Sequence, residues 1–228
     1  MSLQSLRIRN FKAVVDSKTV KLRPLTAFIG NNGAGKSSLI EALETYQAIV
    51  RDGLDVAMQR WLGIEHVRHK AQEAKERMGQ LVNPISFELA LGESPRKVRR
   101  LSMTVNNDPA ANRMLIASER VTDLAGDFTE RNMLDSLPPH GAGRSILTVP
   151  VDLGMTMVAN EVLAWQFLTL SPERMGLPVP QQRTKGAVRL ATDGSNVADF
   201  LLDLRRQDAN AFNGIVETMA FVLPYAKD

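Results

Sequence analysis

Residues 25–38 read LTAFIGNNGAGKSS, and this stretch decides the fold. Its first part, Leu25–Ile29, is a compact apolar run that predicts a buried strand, and the run stops at Gly30. Beyond Lys36 the apolar residues recur at spacings of one, three and four, which predicts an amphipathic helix that ends near Gly53. A strand, a glycine-rich loop and a helix in this order are typical of a phosphate-binding loop.

The loop itself reads GNNGAGKS and matches the spacing G-x-x-x-x-G-K-[ST] of the P-loop. Glycines let the backbone turn with its N–H groups facing inward, and the helix N-terminus directs its positive end at the same anion. We expect Lys36 to place its charge at the β- and γ-phosphates of ATP, and the Ser37 hydroxyl to ligate Mg²⁺. The predicted nucleotide-binding residues of the loop are Gly30, Asn31, Asn32, Gly33, Ala34, Gly35, Lys36, Ser37 and Ser38.

The remaining segments predict a mixed α/β chain. Alternating apolar residues favour strands at 3–9 and 19–22. Turn-rich segments separate three further strand-like stretches, which predicts an antiparallel meander over 85–91, 98–105 and 114–121. Helical patterns are expected over 54–78, 197–204 and 211–222, and a helix that runs into a strand over 155–170.

Composition excludes several classes of protein. The 228 residues are 44% hydrophobic and contain no cysteine, which excludes a disulfide scaffold and fits a cytoplasmic location. No apolar run approaches the roughly 20 residues that span a bilayer, so no membrane association is expected. The formal net charge of +3 does not by itself demand a nucleic-acid partner.

The sequence around the loop resembles a known family. LRIRNFKAVVDSKTVKL, followed by LTAFIGNNGAGKSSLIEAL, resembles the N-termini of ABC-type ATPases of the RecF, SMC and OLD (overcoming-lysogenization-defect) group, which includes AAA-labelled predicted ATPases. A weaker similarity lies in WQFLTLSPERM and in the D-G-x-N helix that follows ATDGSN. The resemblance implies an α/β fold with a P-loop NTPase core of the ABC-ATPase type, an antiparallel β meander and flanking helices. It also implies ATP and Mg²⁺ as cofactors, an ATP-dependent homodimer of the full-length protein, and a role in DNA metabolism or phage defence with DNA as a partner.

The same resemblance bears on a basic residue outside the loop. Asn10-Phe11-Lys12 corresponds to the family's N-F-[RK] turn, whose basic residue lies near the nucleotide in some members. Lys12 is therefore either a nucleotide contact or a solvated lysine at the end of a strand. The family's Q-loop glutamine is left unassigned among Gln166, Gln181 and Gln182.

Two elements of an ABC-type ATPase are missing from the sequence: a signature such as LSGG-Q and a Walker B strand that ends in Asp-Glu. The nearest substitute, Phe200–Asp203, lacks the glutamate and lies in a helical pattern. The family places both elements further toward the C-terminus. We therefore expect 1–228 to be the N-terminal part of an ATPase head: strands, P-loop and first helix in 1–53, a helical and antiparallel β insertion in 54–150, and a strand plus helical subdomain in 151–228. Such a chain should bind nucleotide without efficient hydrolysis. The alternative is a non-catalytic module that dimerises or interacts in response to nucleotide.

Weaker signals favour structural roles. Glu65, His66 and His69 fit one helical side, but no cysteine or further histidine supports a metal site, so a solvated helix face is favoured. The basic run 95–100 would divide its charges between the two faces of a strand, which favours a solvated edge strand over a contact with DNA. Both tryptophans are expected to be packing residues.

Overall fold

A computed structural model of the chain describes residues 1–70, 83–94, 97–108, 113–122, 128–132, 143–148, 153–178 and 188–222. The chain divides into two compact units, Met1–Trp165 and Gln166–Asp228. The strands are β1 (Ser2–Phe11), β2 (Val14–Asp16), β3 (Val20–Lys21), β4 (Ile85–Ser94), β5 (Lys97–Asp108), β6 (Arg113–Thr122) and β7 (Phe128–Asn132). The helices are α1 (Lys36–Asp52), α2 (Leu54–Gln59), α3 (Ile64–Val67), α4 (Leu153–Ala164), α5 (Pro172–Met175), α6 (Val197–Gln207) and α7 (Ala209–Val222), with a 3₁₀ turn at Ile146–Thr148.

The first unit is built on one antiparallel sheet. Its strand order is β2-β1-β4-β5-β6-β7, and β3 also pairs with β1. The predicted meander is confirmed as β4, β5 and β6, whereas β7 was not predicted because its five residues carry no clear alternation. Alternation places apolar side chains on one face in register, and one row across four strands consists of Leu6, Leu89, Leu101 and Val121.

Helix α1 covers the apolar face of the sheet. Its buried positions recur at helical spacing, and the Tyr46 ring packs against Phe87 of β4 with 5.6 Å between ring centroids. Burial raises the pKa of the Tyr46 hydroxyl well above its ordinary value, and the charge of Glu119 raises it further. The buried α1 residues are Ser38, Leu39, Ala42, Leu43, Thr45, Tyr46, Gln47, Ile49 and Val50.

A carboxylate also lies on the buried face of the sheet. Glu119 of β6 is only 1% exposed, and its two oxygens accept hydrogen bonds from the Ser145 hydroxyl (2.5 Å) and the Ile146 N–H (2.8 Å). A buried carboxylate is stable only when its oxygens are hydrogen-bonded. Glu119 therefore anchors the start of the 3₁₀ turn on the sheet.

The buried strand predicted for Leu25–Ile29 is wrong. The segment makes no strand pairing in the described part of the chain, and the side chains of Leu25 and Ile29 are 90% and 93% exposed. A strand is stable only when neighbouring strands satisfy its backbone N–H and C=O groups, and the described strands pair elsewhere. The fold is thus a mixed α/β structure with an antiparallel sheet and helices.

The helix predicted over 54–78 and the strand predicted at the end of 155–170 need correction. Residues 54–70 form two short helices, because Leu62 and Gly63 adopt positive φ values of 61° and 111° that interrupt the helix; residues 71–82 lie outside the described residues. Residues 165–170 follow α4 without strand pairing; within this stretch Thr169 donates its N–H to the Thr192 carbonyl (2.7 Å), an isolated hydrogen bond that does not form a ladder.

The prediction of an edge strand for the basic run 95–100 is wrong. Residues 97–100 belong to β5, which pairs with β4 on one side and with β6 on the other. The predicted division of its charges between two faces is observed for two arginines. Arg99 donates to the Gly154 carbonyl at the start of α4 (2.9 Å), while Arg100 is exposed on the opposite face.

The second unit contains α5, α6 and α7. The predicted helices 197–204 and 211–222 are confirmed within α6 and α7, and neither helix contains a buried residue. Asn196 occupies the N-cap position of α6, but its side chain makes no capping hydrogen bond. Instead the side chain accepts from the Ala191 N–H (2.7 Å) and donates to the Arg189 carbonyl (2.9 Å). Among the described residues, no helix is both long and apolar enough to cross a membrane.

Candidate functional site

The glycine-rich loop leads directly into α1. Gly33 and Gly35 have φ values of 83° and 85°, a region that residues with a Cβ atom rarely adopt. Gly35 also lies against β2, because a Cβ atom at this position would be 3.1 Å from Val14 Cγ2. Position 35 therefore favours glycine for two reasons: the backbone has a positive φ, and Val14 leaves little space for a Cβ atom.

No side chain of the N-cap residue bonds to the N–H groups in the first turn of α1. Gly35 has no side chain that could cap the helix, and no acidic residue occurs in the first turn. The 17 residues of α1 align their peptide dipoles, so the positive end of the helix is directed toward the loop. This arrangement suits an anion at the loop.

Lys36 folds back over the loop. Its ammonium group donates to the backbone carbonyls of Gly30 and Asn31, each at 2.7 Å. The loop also closes on itself through a hydrogen bond of 3.2 Å from the Ala34 N–H to the Asn31 carbonyl. The amine is thus held against the loop by neutral acceptors, and a negatively charged phosphate oxygen would be a stronger partner for it.

The other predicted loop residues differ in exposure. Asn32, like its neighbours in the loop, is exposed, as is the Ser37 side chain, so the Ser37 hydroxyl is accessible to a bound cation. Ser38 is buried at the start of α1, inside the first unit, which fits a packing role. The structure therefore places the loop residues in one short turn and separates Ser37 from Ser38 by their environments.

Lys12 lies at a second cluster beside α1. Its ammonium group makes an ion pair with Glu41 Oε2 at 2.9 Å and lies 3.6 Å from the centroid of the Trp61 ring. The backbone on both sides of Phe11 has positive φ, 56° at Asn10 and 49° at Lys12. The nucleotide contact stays a prediction, and the lysine is not the solvated strand end of the alternative, because an anion and an aromatic ring hold it.

Residues 1–52 match the family model described as the AAA ATPase domain. The matched segment contains β1, β2, β3, the glycine-rich loop and α1. No curated protein matches the chain. The AAA ATPase match supports an AAA-type, nucleotide-binding ATPase, and such enzymes use ATP and usually Mg²⁺.

The remaining candidate residues make contacts of their own. Glu65 accepts from Asn107 Nδ2 (2.6 Å), and His69 Nδ1 lies 2.7 Å from the Lys12 carbonyl. Across the described ranges, no group of three His, Cys, Asp or Glu residues could hold a metal ion. Asp203 lies in α6, as its helical pattern predicts, and its carboxylate accepts a hydrogen bond from the Val188 N–H (3.0 Å). Gln166 belongs to the second unit, while Gln181 and Gln182 lie outside the described residues.

Sequence reasoning missed two residues that support the AAA ATPase segment. Val14 sets the space beside Gly35, and Glu41 fixes Lys12 from the second turn of α1. A signal for Glu41 exists, since it lies four residues after Ser37 and therefore on the same side of the helix. Nothing in the sequence alone indicates the contact between Val14 and Gly35, because it depends on how β2 returns along the loop.

Proposed function

We propose that this chain binds ATP with Mg²⁺ through the loop from Gly30 to Ser38, as part of an ATPase related to the RecF, SMC and OLD group. One observation carries the proposal: a loop with glycines at positive φ enters an uncapped helix, with the Lys36 amine held over it. The AAA ATPase match over residues 1–52 supports it independently of side-chain geometry.

The chemistry of each group follows from its position. The N–H groups of the loop and of the first turn of α1 would hold phosphate oxygens, and Lys36 would add a positive charge. The exposed hydroxyl of Ser37 fits Mg²⁺, which prefers oxygen ligands and retains several waters. When it is bound, Mg²⁺ neutralises part of the phosphate charge.

Nucleotide binding can be tested by titrating the purified chain with a fluorescent ATP analogue in the presence and absence of Mg²⁺. Lys36→Ala should weaken binding by about tenfold or more, because a charge-assisted hydrogen bond contributes roughly 1.5–3 kcal/mol. Lys18→Ala is the matched control, since its side chain is 80% exposed and pairs with Asp16 on β2. Equal affinities of Lys36→Ala and the unchanged chain would contradict the proposal.

Hydrolysis is a separate question. The sequence contains no Asp-Glu pair that could form a Walker B terminus, so we propose that the chain binds ATP without efficient turnover. Release of inorganic phosphate, measured with saturating ATP, should stay at the level of Lys36→Ala. Robust, Lys36-dependent release would contradict this part of the proposal while supporting nucleotide binding.

We also propose that the full-length protein forms an ATP-dependent homodimer that acts in DNA metabolism or phage defence. This part rests on the resemblance of the opening residues to the RecF, SMC and OLD group. Measuring mass in solution with and without ATP tests it. The proposal is supported if ATP doubles the mass of the unchanged protein while the Lys36→Ala variant keeps the mass of a monomer. An unchanged mass of the full-length protein in ATP would contradict it.

A further inference from the structure

The turn between β1 and β2 lies directly against the glycine-rich loop. Phe11 pairs with Val14, so the two residues between them, Lys12 and Ala13, form a short hairpin loop. A Cβ atom at Gly35 would be 3.1 Å from Val14 Cγ2 and 3.9 Å from the Cβ atom of Ala13. Gly35 is the N-cap residue of α1, so this turn contacts the point at which the loop becomes the helix.

The backbone of this turn is strained. Lys12, the first residue of the hairpin loop, has a φ of 49°, and Asn10 has a φ of 56°. Asparagine is among the residue types that tolerate a positive φ, whereas a lysine side chain offers no local compensation for it. A strained conformation persists only where the surrounding structure holds it. The contacts that hold Lys12 therefore decide where the turn lies.

Hydrogen bonds from the segment after α3 hold the backbone of the turn. The Lys12 N–H donates to the Val67 carbonyl (2.6 Å), and the His69 N–H donates to the Asn10 carbonyl (2.9 Å). His69 Nδ1 lies 2.7 Å from the Lys12 carbonyl, which can only accept, so this ring nitrogen is the donor. Both residues of positive φ are thus fixed from this side.

The side chain of Lys12 connects the same turn to α1. Its ammonium group makes the ion pair with Glu41 and lies over the Trp61 ring, whose Nε1 in turn donates to Thr45 Oγ1 at 3.0 Å. Glu41 and Thr45 are four residues apart and therefore lie on one side of the helix. With the side chains of Lys12 and Glu41 25% and 33% exposed, the pair is partly shielded from water and salt.

The two lysines near the start of α1 differ in what their charges face. Lys36 donates to neutral carbonyls of the glycine-rich loop, whereas the Lys12 charge is paired with a carboxylate. That carboxylate belongs to Glu41, four residues beyond Ser37 and about 6 Å further along the helix axis at about 1.5 Å per residue. The geometry gives Lys36 to the loop and Lys12 to the turn beside it.

We propose that the β1–β2 turn supports the glycine-rich loop, and that Lys12, Glu41 and Trp61 are positioning residues that hold this turn against Gly35. Lys12 acts through the two residues that follow it and does not touch the nucleotide, which differs from the contact that the resemblance implies. Without the ammonium group the strained turn relaxes, and the N–H groups at the start of α1 lose their alignment with the phosphates. The proposal rests on the proposed binding of ATP at the loop.

A double-mutant cycle of nucleotide affinity tests this role. Lys12→Met removes the ammonium group but keeps the apolar stem, and Glu41→Gln removes the charge but keeps the shape. Each should weaken binding of a fluorescent ATP analogue with Mg²⁺ by about fivefold. The double variant should bind no more weakly than either single variant, because all three lack the same ion pair. Lys12→Arg keeps the ion pair and the ring contact and should bind like the unchanged chain.

The sign of the Glu41→Gln effect separates the two roles of Lys12. If Lys12 touched the nucleotide, freeing it from Glu41 would leave the affinity unchanged or raise it, and either result would overturn the proposal. Losses that multiply in the double variant would overturn it as well, since they would show that the two residues act independently.

Two NMR signals distinguish positioning from a general loss of stability. Without nucleotide, Lys12→Met should shift the amide signal of Gly35, because the turn beside it moves. In the unchanged chain, ATP with Mg²⁺ should shift the Gly35 amide but leave the indole N–H signal of Trp61 in place, because Lys12 stays over the ring. A shifted indole signal with ATP, or an unshifted Gly35 amide in Lys12→Met, would overturn the proposal.

The matched control is Lys18→Met. Lys18 also has a positive φ, 54°, and pairs with Asp16 at the end of β2, but its side chain is 80% exposed. The control removes the same charge and should change neither the affinity nor the Gly35 amide; an equal loss of affinity would overturn the proposal, since it would reflect net charge alone. If the unchanged chain failed to bind ATP, the proposed function would fail, and the Gly35 amide in Lys12→Met would still decide whether the turn supports the loop.

Discussion

At the scale of single residues, the two glycines of the loop with φ near +85° separate two physical requirements. Gly33 has no heavy atom within 4 Å of the position of a Cβ atom, whereas Gly35 has Val14 Cγ2 at 3.1 Å. Both have a backbone that residues with a Cβ atom rarely adopt. A comparison of the two positions therefore distinguishes backbone strain from crowding.

Alanine substitutions make this comparison directly. Gly33→Ala should lower the free energy of unfolding by about 1–2 kcal/mol, the usual cost of a left-handed backbone for a residue with a side chain. Gly35→Ala should cost more, because Val14 must also move. Urea denaturation measures both values, and equal losses would show that β2 yields to the new methyl group without cost.

Gln47 illustrates a buried polar side chain that connects two helices. It lies on the buried side of α1, and its amide donates to the backbone carbonyls of Val162 (2.8 Å) and Trp165 (2.9 Å) at the end of α4. The last carbonyls of a helix have no partner within the helix, so Gln47 supplies one.

Replacing this amide should destabilise the first unit. Gln47→Leu keeps a similar volume but removes the two hydrogen bonds from the amide to the carbonyls of Val162 and Trp165, so we expect the free energy of unfolding to fall by about 1–3 kcal/mol. Gln59→Leu, at the exposed end of α2, is the control and should change stability by less than about 0.5 kcal/mol. If urea denaturation gave the same value for both variants, Gln47 would not act through these hydrogen bonds.

At the scale of elements, the turn before α6 depends on a carboxylate. Asp193 has a pKa of about 2, lowered mainly by the hydrogen bond from the Ser195 N–H (3.0 Å), then by the Ser195 side chain and by Arg174 (3.0 Å). Because its pKa is below the ordinary value of 3.8, the ionised carboxylate stabilises the turn. That contribution is complete above about pH 4 and is lost as the pH falls toward about 2.

A titration of the Asp193 carboxyl carbon by NMR checks this value. The midpoint should lie near pH 2 in the folded chain and move upward in Arg174→Gln, which removes one of the hydrogen bonds to the carboxylate. A midpoint near 4 in the unchanged chain would mean that the turn does not hold the carboxylate in this geometry.

At the scale of the whole molecule, the two units differ in how they bury their elements. In Met1–Trp165, α1 packs its apolar side on a sheet whose inner rows are almost fully buried. In Gln166–Asp228, α6 and α7 have no buried residue, and large apolar side chains such as Phe221 are exposed. Local stability follows burial of apolar contacts, so it should differ between the units.

Amide hydrogen exchange of the intact chain measures this difference. The amides of β4, β5 and β6 and those of the buried part of α1 should exchange slowly, near the rate set by global unfolding. Amides in α6 and α7 should exchange faster. Helix α1 is the internal control for helical hydrogen bonding, and equal protection of α1 and α7 would contradict the prediction.

The sequence by itself determined the features that depend on neighbours along the chain. The phosphate-loop pattern, the start of α1 at Lys36, its end before Gly53 and the three strands of the meander all follow from local periodicity and glycine positions. The same pattern placed nine consecutive loop residues in one candidate site, whose role in binding ATP remains a proposal. These features need only the backbone chemistry of a few adjacent residues.

The tertiary structure decided what depends on which strands pair. Leu25–Ile29 has the composition of a buried strand but is exposed, because a strand needs partners that local sequence does not supply. The predicted edge strand became the centre of a sheet, and that pairing turned Arg100 and Lys21 outward on one face. Lys12 likewise lies between Glu41 and Trp61, which are distant in sequence. Pairing and packing act between residues far apart in the chain, so periodicity predicts the elements but not their neighbours.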